Sequence, residues 1–309
     1  MEPESPGTPE SAVTSCYRHP KVESYVRCTR CDRFICPDCM HAASVGHQCP
    51  ECVKEGVRSV RQARTAFGGR ISTVPLVTYV LIGLNVLAYL GELVRPEIVD
   101  RFSMLGQGLV GPDGGRYLWQ DSYPADFSAE GVAHGEWERL LTGAFLHLPP
   151  VGGGFGILHI VMNMLTLWNV GRIVESQLGR ARYLALYLLS ALGGSVLVLL
   201  LAPDTTTVGA SGAIFGISTA YYVLARRLGA DPRAVNRFMA GLLLWLVISA
   251  AVTSWQGHLG GLLTGGLVAL AFAYAPRDRW RALVQAGVCV LVLGLLVVLV
   301  VGKVSALTG

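Results

Sequence analysis

Ser211 lies in Gly209-Ala210-Ser211-Gly212 and His258 in Gly257-His258-Leu259-Gly260-Gly261, each at the start of an apolar stretch long enough to cross a bilayer. A hydroxyl and an imidazole are costly inside hydrocarbon, so residues of this kind point to function. A serine beside a histidine is the minimal nucleophile–base pair. His159 and Asn163 stand at i and i+4 and share one helix face. Both can donate hydrogen bonds. With the backbone N–H of Ser211, which is unpaired and at the positive end of its helix, they are candidates to hold the oxyanion that acyl transfer creates. Two glycine rows, Gly212/Gly216 and Gly257/Gly261/Gly265, repeat every four residues. Such faces let two membrane helices approach closely, which would bring Ser211 within reach of His258. Phe215, one turn after Ser211, is placed to stack on the imidazole. Ala213 stands where the Gly-x-Ser-x-Gly elbow of soluble hydrolases needs glycine.

The elements that must position these groups are membrane helices. Hydrophobic residues make up 52% of the 309-residue chain and charged residues 15%, which excludes an ordinary soluble domain. The formal charge of +4 gives no argument for nucleic acid. Seven apolar segments, at 74–94, 157–175, 183–202, 209–227, 236–252, 255–275 and 281–302, approach the ~20 residues a spanning helix needs. Arginines cluster before the first segment and after the second, fourth and sixth, whereas 203–208 and 253–254 hold neither Lys nor Arg. The positive-inside rule then places the N-terminus in the cytoplasm. The polar, Pro/Ser-rich start shows no signal peptide and fits that placement. Segments two, four and six run inward, so His159, Asn163, Ser211 and His258 are expected at similar depth, toward the outer face.

At these residues the chain resembles the rhomboid family of intramembrane serine proteases, over about 74–275. The motifs that carry the resemblance are Trp137-Glu138-Arg139, His159-x-x-x-Asn163, Gly171-Arg172-x-x-Glu175, Gly209-x-Ser211-Gly212 and His258-x-x-Gly261-x-x-x-Gly265, with Asn85 in the first segment. The resemblance implies a six-helix bundle, with a seventh helix as a known variant. It makes Ser211 the nucleophile and His258 the general base, with no acidic third member and no catalytic cofactor. His159, Asn163 and the Ser211 amide would bind the oxyanion, and Trp137 and Arg139 would anchor the first loop at the outer interface. Substrates would be membrane proteins cut in or near a transmembrane helix. The chain departs from the family pattern at Gly257, often Ala, and at Thr253, often Gly. A further histidine often precedes the second-helix histidine. His147 is the candidate, but Pro149–Gly154 intervenes, and His147 is left outside the core site.

Seven of the eight cysteines fall between Cys16 and Cys52. They form Cys16-x-x-His19, Cys28-x-x-Cys31, Cys36-x-x-Cys39 and Cys49-x-x-Cys52, eight ligands for two tetrahedral zinc ions. A cytoplasmic setting argues against disulfides. A cross-brace, with pairs one and three on one ion and two and four on the other, is favoured over sequential pairing. His41 and His47 are alternative ligands. The module resembles B-box-type zinc fingers in its opening Cys-x-x-His and its spacing. Both shells close with four protein ligands, so the zinc is structural. A protein partner suits this module, and the neighbouring arginines suit anionic lipid.

The resulting expectation is an all-α polytopic protein of a bacterial plasma membrane. It comprises a disordered 1–15, a double zinc module at 16–53, a basic linker at 54–73, a six-helix rhomboid-like core at 74–275, and a further membrane helix within 276–309. Two other functions fit the same fold class. A catalytically silent binder of membrane helices would have no need of both Ser211 and His258. A transporter would show broken-helix repeats rather than polar groups gathered at one end.

Overall fold

The computed structural model describes residues 14–59, 63–148, 150, 155–251 and 253–309. The expected disorder at 1–13, Arg61 of the linker, and most of the Pro149–Gly154 run lie outside the described residues. The chain divides into two units, Met1–Ala63 and Arg64–Gly309.

The first unit is built around its cysteines. A hairpin, β1 (His41–Ala42) with β2 (His47–Gln48), precedes one amphipathic helix, α1 (Pro50–Ser59). Helix α1 carries regular structure beyond residue 53, so the first residues of the expected linker are helical. The buried core of the unit is Ile35 with Cys16, Cys28, Cys36, Cys39, Cys49 and Cys52. One aliphatic side chain cannot offset the chain entropy of ordering about forty residues.

The second unit is a helical bundle. Its helices are α2 (Leu76–Val94), α3 (Glu97–Phe102), α4 (Arg139–Thr142), α5 (Phe155–Thr166), α6 (Arg172–Leu178), α7 (Arg180–Leu201), α8 (Ser211–Arg227), α9 (Pro232–Ser249), α10 (Trp255–Tyr274) and α11 (Arg281–Thr308). A π-helical turn, Leu167–Gly171, joins α5 to α6, so Gly156–Leu178 runs as one span. Among the described residues five helices are long and apolar enough to cross a membrane: α2, the α5–α6 span, α7, α10 and α11. The expectation of seven counted α8 and α9 as well. Helix α8 has 17 residues and turns most of them into the protein, from Ala213 to Ala220 without a break. It faces other helices rather than lipid, so its sequence need not be strongly apolar. Helix α9 opens on polar residues: Asp231 caps it by accepting the Arg233 N–H, Pro232 sits at its first position, and Asn236 and Arg237 follow. The chain is a mostly helical polytopic membrane protein.

Helix α7 is the most buried span and packs against both α8 and α10. The α8–α10 contact depends on glycine. A Cβ at Gly216 would stand 2.8 Å from the Gly261 carbonyl oxygen, one at Gly212 would stand 3.0 Å from that of Gly257, and one at Gly261 would fall inside the Gly212 carbonyl. No side chain larger than hydrogen fits there. At the other end of the bundle Glu175 accepts the backbone N–H groups of Val77 and Thr78 and the Thr78 hydroxyl. A carboxylate thereby satisfies donors that the start of α2 leaves unpaired.

The loop after α2 is not helical throughout. Strands β3 (Gly108–Val110), β4 (Arg116–Tyr117) and β5 (Ser128–Glu130) form a small antiparallel sheet in the order β4-β3-β5. The turn between β3 and β4 is Gly111-Pro112-Asp113-Gly114-Gly115, with the Asp113 carboxylate accepting the Gly115 N–H. Strands this short leave no readable alternation in the sequence.

Candidate active site and metal clusters

Ser211 opens α8. The loop before it is pinned by the Gly209 N–H donating to the Gly143 carbonyl at 2.9 Å. Gly209 has φ +129°, and a Cβ there would stand 2.9 Å from the His159 ring. The residue two before Ser211 therefore has to be glycine. His258 sits in the first turn of α10, whose start is capped by the Ser254 hydroxyl accepting the Gly257 N–H. The close approach of α8 and α10 places His258 Nε2 2.8 Å from Ser211 Oγ. Phe215 stacks on the His258 ring at 4.4 Å between centroids and 15° between planes. This fixes the imidazole plane and leaves only its edges to hydrogen-bond. His258 is buried and Ser211 is half-buried at the wall of a cavity of roughly 500 Å³. His159, Gly143, Thr205 and Trp255 also line it.

His159 and Asn163 are both buried on the inner face of α5. The Asn163 side-chain Nδ2 has no hydrogen-bond partner among the described residues. A buried amide donor left unpaired is costly, and a transient acceptor would relieve that cost. His147, set aside in the sequence reading, belongs to this neighbourhood. It is fully buried, its ring lies 5.2 Å from that of His159, and its backbone N–H donates to the buried carboxylate of Glu92. Its spacing from His159 hides this, because Pro149–Gly154 lengthens the chain between two residues that meet in space. Glu92 carries one legible signal, a carboxylate inside an apolar segment.

Trp137 is half exposed, but Arg139 is almost wholly buried. Its guanidinium pairs with Glu136 at 2.7 Å and Glu130 at 3.1 Å and donates to the carbonyls of Asp100 and Ser103. Arg139 thus ties α3, β5 and α4 together inside the first loop rather than meeting an interface. Of its acidic partners, Glu130 comes from a strand the sequence does not reveal, whereas Glu136 lies three residues before it in the chain.

A rhomboid domain model matches residues 134–275. The putative rhomboid protease YdcA of Bacillus subtilis is 31% identical over 168 residues, covering 53% of this chain and 80% of that protein. The chain belongs to the rhomboid family. The rhomboid protease GluP of Bacillus subtilis is 36% identical over 150 residues, 47% of this chain and 28% of GluP. RHOMBOID-like protein 2 of Arabidopsis thaliana is 33% identical over 157 residues, 48% of this chain and 46% of that protein. The chain thus spans less than half the length of these two relatives. The rhomboid match covers Ser211, His258, both α5 polar residues and the cavity lining except Val99 and Met104, and it leaves out the cysteine-rich unit.

In that unit the structure gathers Cys16, His19, Cys36 and Cys39 in one group and Cys28, Cys31, Cys49 and Cys52 in another, with the ligand atoms of each group within 4.8 Å of one another. These are pairs one with three and two with four. A tetrahedral zinc at about 2.3 Å from sulfur sets neighbouring sulfurs about 3.8 Å apart. Cys31 and Cys49 Sγ stand 3.8 Å apart, and His19 Nδ1 stands 3.2–3.9 Å from its three sulfurs. Both groups are therefore capable of holding a metal ion. Burial pushes the Cys16 and Cys28 thiols up, but backbone N–H groups directed at the sulfurs outweigh it and hold both down to about 6. That favours the thiolate, the form that binds metal. His41 and His47 lie exposed on the hairpin, outside both groups.

Proposed function

We propose that this rhomboid is an intramembrane serine endopeptidase that cuts membrane proteins in or near a transmembrane helix. The observation that carries the reading is the 2.8 Å approach of Ser211 Oγ to His258 Nε2 at the wall of a cavity. Ser211 Oγ attacks the scissile carbonyl while its proton passes to Nε2. The tetrahedral oxyanion is held by His159, Asn163 and the Ser211 amide. His258 then gives the proton to the leaving amine; water attacks the acyl group while His258 takes its proton, and His258 returns a proton to Ser211 Oγ as the new carboxyl end departs. Co-expression with a tagged single-span substrate tests this. Wild type yields cleavage product, whereas Ser211→Ala and His258→Ala yield none; product from Ser211→Ala would refute the assignment.

The N-terminal unit is a structural zinc module, with Cys16, His19, Cys36 and Cys39 on one ion and Cys28, Cys31, Cys49 and Cys52 on the other. It takes no part in the chemistry. In the cell membrane its side is the cytoplasm, where it can meet a protein partner, and Ser211 lies toward the outer face. Metal analysis of the purified full chain should give about two zinc per molecule, with Cys28→Ser lowering the figure to about one; a value near zero would refute the module.

A further inference from the structure

We propose that Ser249, the last residue of α9, is a positioning residue that holds the His258 imidazole in the tautomer with its proton on Nδ1. The inference rests on the Ser211–His258 dyad and adds a member to it. For Nε2 to accept the Ser211 proton, the neutral ring must carry its own proton on Nδ1. That N–H is buried and needs an acceptor. Phe215 covers the ring face, so the acceptor must lie in the ring plane, at the edge away from Ser211. Ser249 Oγ is there, 3.4 Å from Nδ1, and Ser249 is fully buried. Its own hydroxyl has an acceptor in the Leu246 carbonyl at 3.4 Å. The protons therefore run one way: Ser211 O–H to Nε2, Nδ1–H to Ser249 Oγ, Ser249 O–H to Leu246.

The helix that carries Ser249 gives a second argument. Among the described residues α9 buries only Val235 near its start and Ser249 at its end. The rest of the helix is exposed or half exposed, much of it apolar, as a lipid-facing helix would be. One of its two buried contacts is thus made to the imidazole. Among the described residues no charged side chain is bonded to the His258 ring. Helix α7 approaches this part of α10 through Gly194, α8 through Ser211 and Phe215, and α11 meets α10 at Phe272 through Gln285. The other imidazole lining the same cavity is His159 of α5. When the Ser211 O–H bond breaks and the Nε2–H bond forms, the cation is shared between Nε2–H and Nδ1–H. A hydroxyl accepting from Nδ1 stabilises that cation, and its loss makes the ring a weaker base.

The test is a pH–rate profile of the purified full chain on a tagged single-span model substrate, for wild type, Ser249→Ala, Ser249→Thr and Ser211→Ala. Ser249→Ala should lower kcat roughly tenfold with KM unchanged, and should move the acid limb of kcat/KM roughly one unit toward lower pH, the same free energy read two ways. Ser249→Thr, which keeps the hydroxyl, should stay near wild type in both. Wild-type values in Ser249→Ala, with Ser211→Ala inert, would overturn this inference alone. Equal losses in the Ala and Thr variants with an unmoved acid limb would also overturn it, since that is how a packing residue behaves. Cleavage by Ser211→Ala would overturn the dyad and this inference together.

Discussion

At the scale of single residues the site is made of groups whose cost is visible in the sequence. Ser211, His258, His159 and Asn163 stand out because hydrocarbon does not tolerate a polar side chain without a reason. Ser249, Glu92 and His147 did not stand out as site members. A serine at the end of an apolar segment is ordinary, and only the fold reveals that an imidazole edge lies beside it. Arg139 was legible as a motif residue but not in its burial, because Glu130 and the carbonyls of Asp100 and Ser103 reach it through tertiary structure. Asn163 yields a prediction at this scale. Its buried amide, without a partner among the described residues, should be worth about a hundredfold in kcat if it donates to the oxyanion. Asn163→Ala should therefore lower kcat by about that factor with little change in KM. A fall confined to KM would place Asn163 in substrate binding instead.

At the scale of elements the bundle depends on how closely α8 and α10 can approach. Gly261 and Gly294 make a matched test. A Cβ on Gly261 collides with the Gly212 backbone, whereas one on Gly294 of α11 meets nothing within 4 Å. Gly261→Ala should destabilise the bundle by about 1–3 kcal/mol and separate Ser211 from His258. Gly294→Ala should leave thermal stability and cleavage unchanged or slightly improved, since alanine favours helix. Equal effects of the two substitutions, read by thermal unfolding in detergent, would contradict the packing described. The helices themselves were largely legible, because long apolar runs bounded by arginine leave few alternatives. The exceptions have physical causes. Helix α8 hides among protein neighbours, α9 starts at a capped proline turn four residues before its apolar run, and the first-loop sheet has strands of two or three residues. Patterns that short do not show a period.

At the scale of the whole chain the two units rest on different stabilising terms. The bundle has an extended apolar core of its own, centred on α7. The N-terminal unit has cysteines and one isoleucine. The four Cys/His pairs were legible because ligand spacing is local, and the pairing of first with third and second with fourth accompanies long-range backbone bonds, Tyr17 N–H to the Phe34 carbonyl and Thr29 N–H to the His47 carbonyl. On the zinc binding proposed above, a strong chelator should expose residues 14–59 to protease and leave cleavage by the bundle intact, since metal binding would supply the folding free energy of the small unit alone. Protease resistance unchanged by chelation would contradict this.

The most direct measurement of the central claim is covalent labelling by a fluorophosphonate, a probe that reacts with a serine only when a base takes its proton. Mass spectrometry of the labelled full chain should find the adduct on Ser211, and His258→Ala should abolish it although Ser211 is still present. An adduct on another serine, or undiminished labelling of Ser211 in His258→Ala, would mean that the 2.8 Å contact between these two side chains is not the reacting pair.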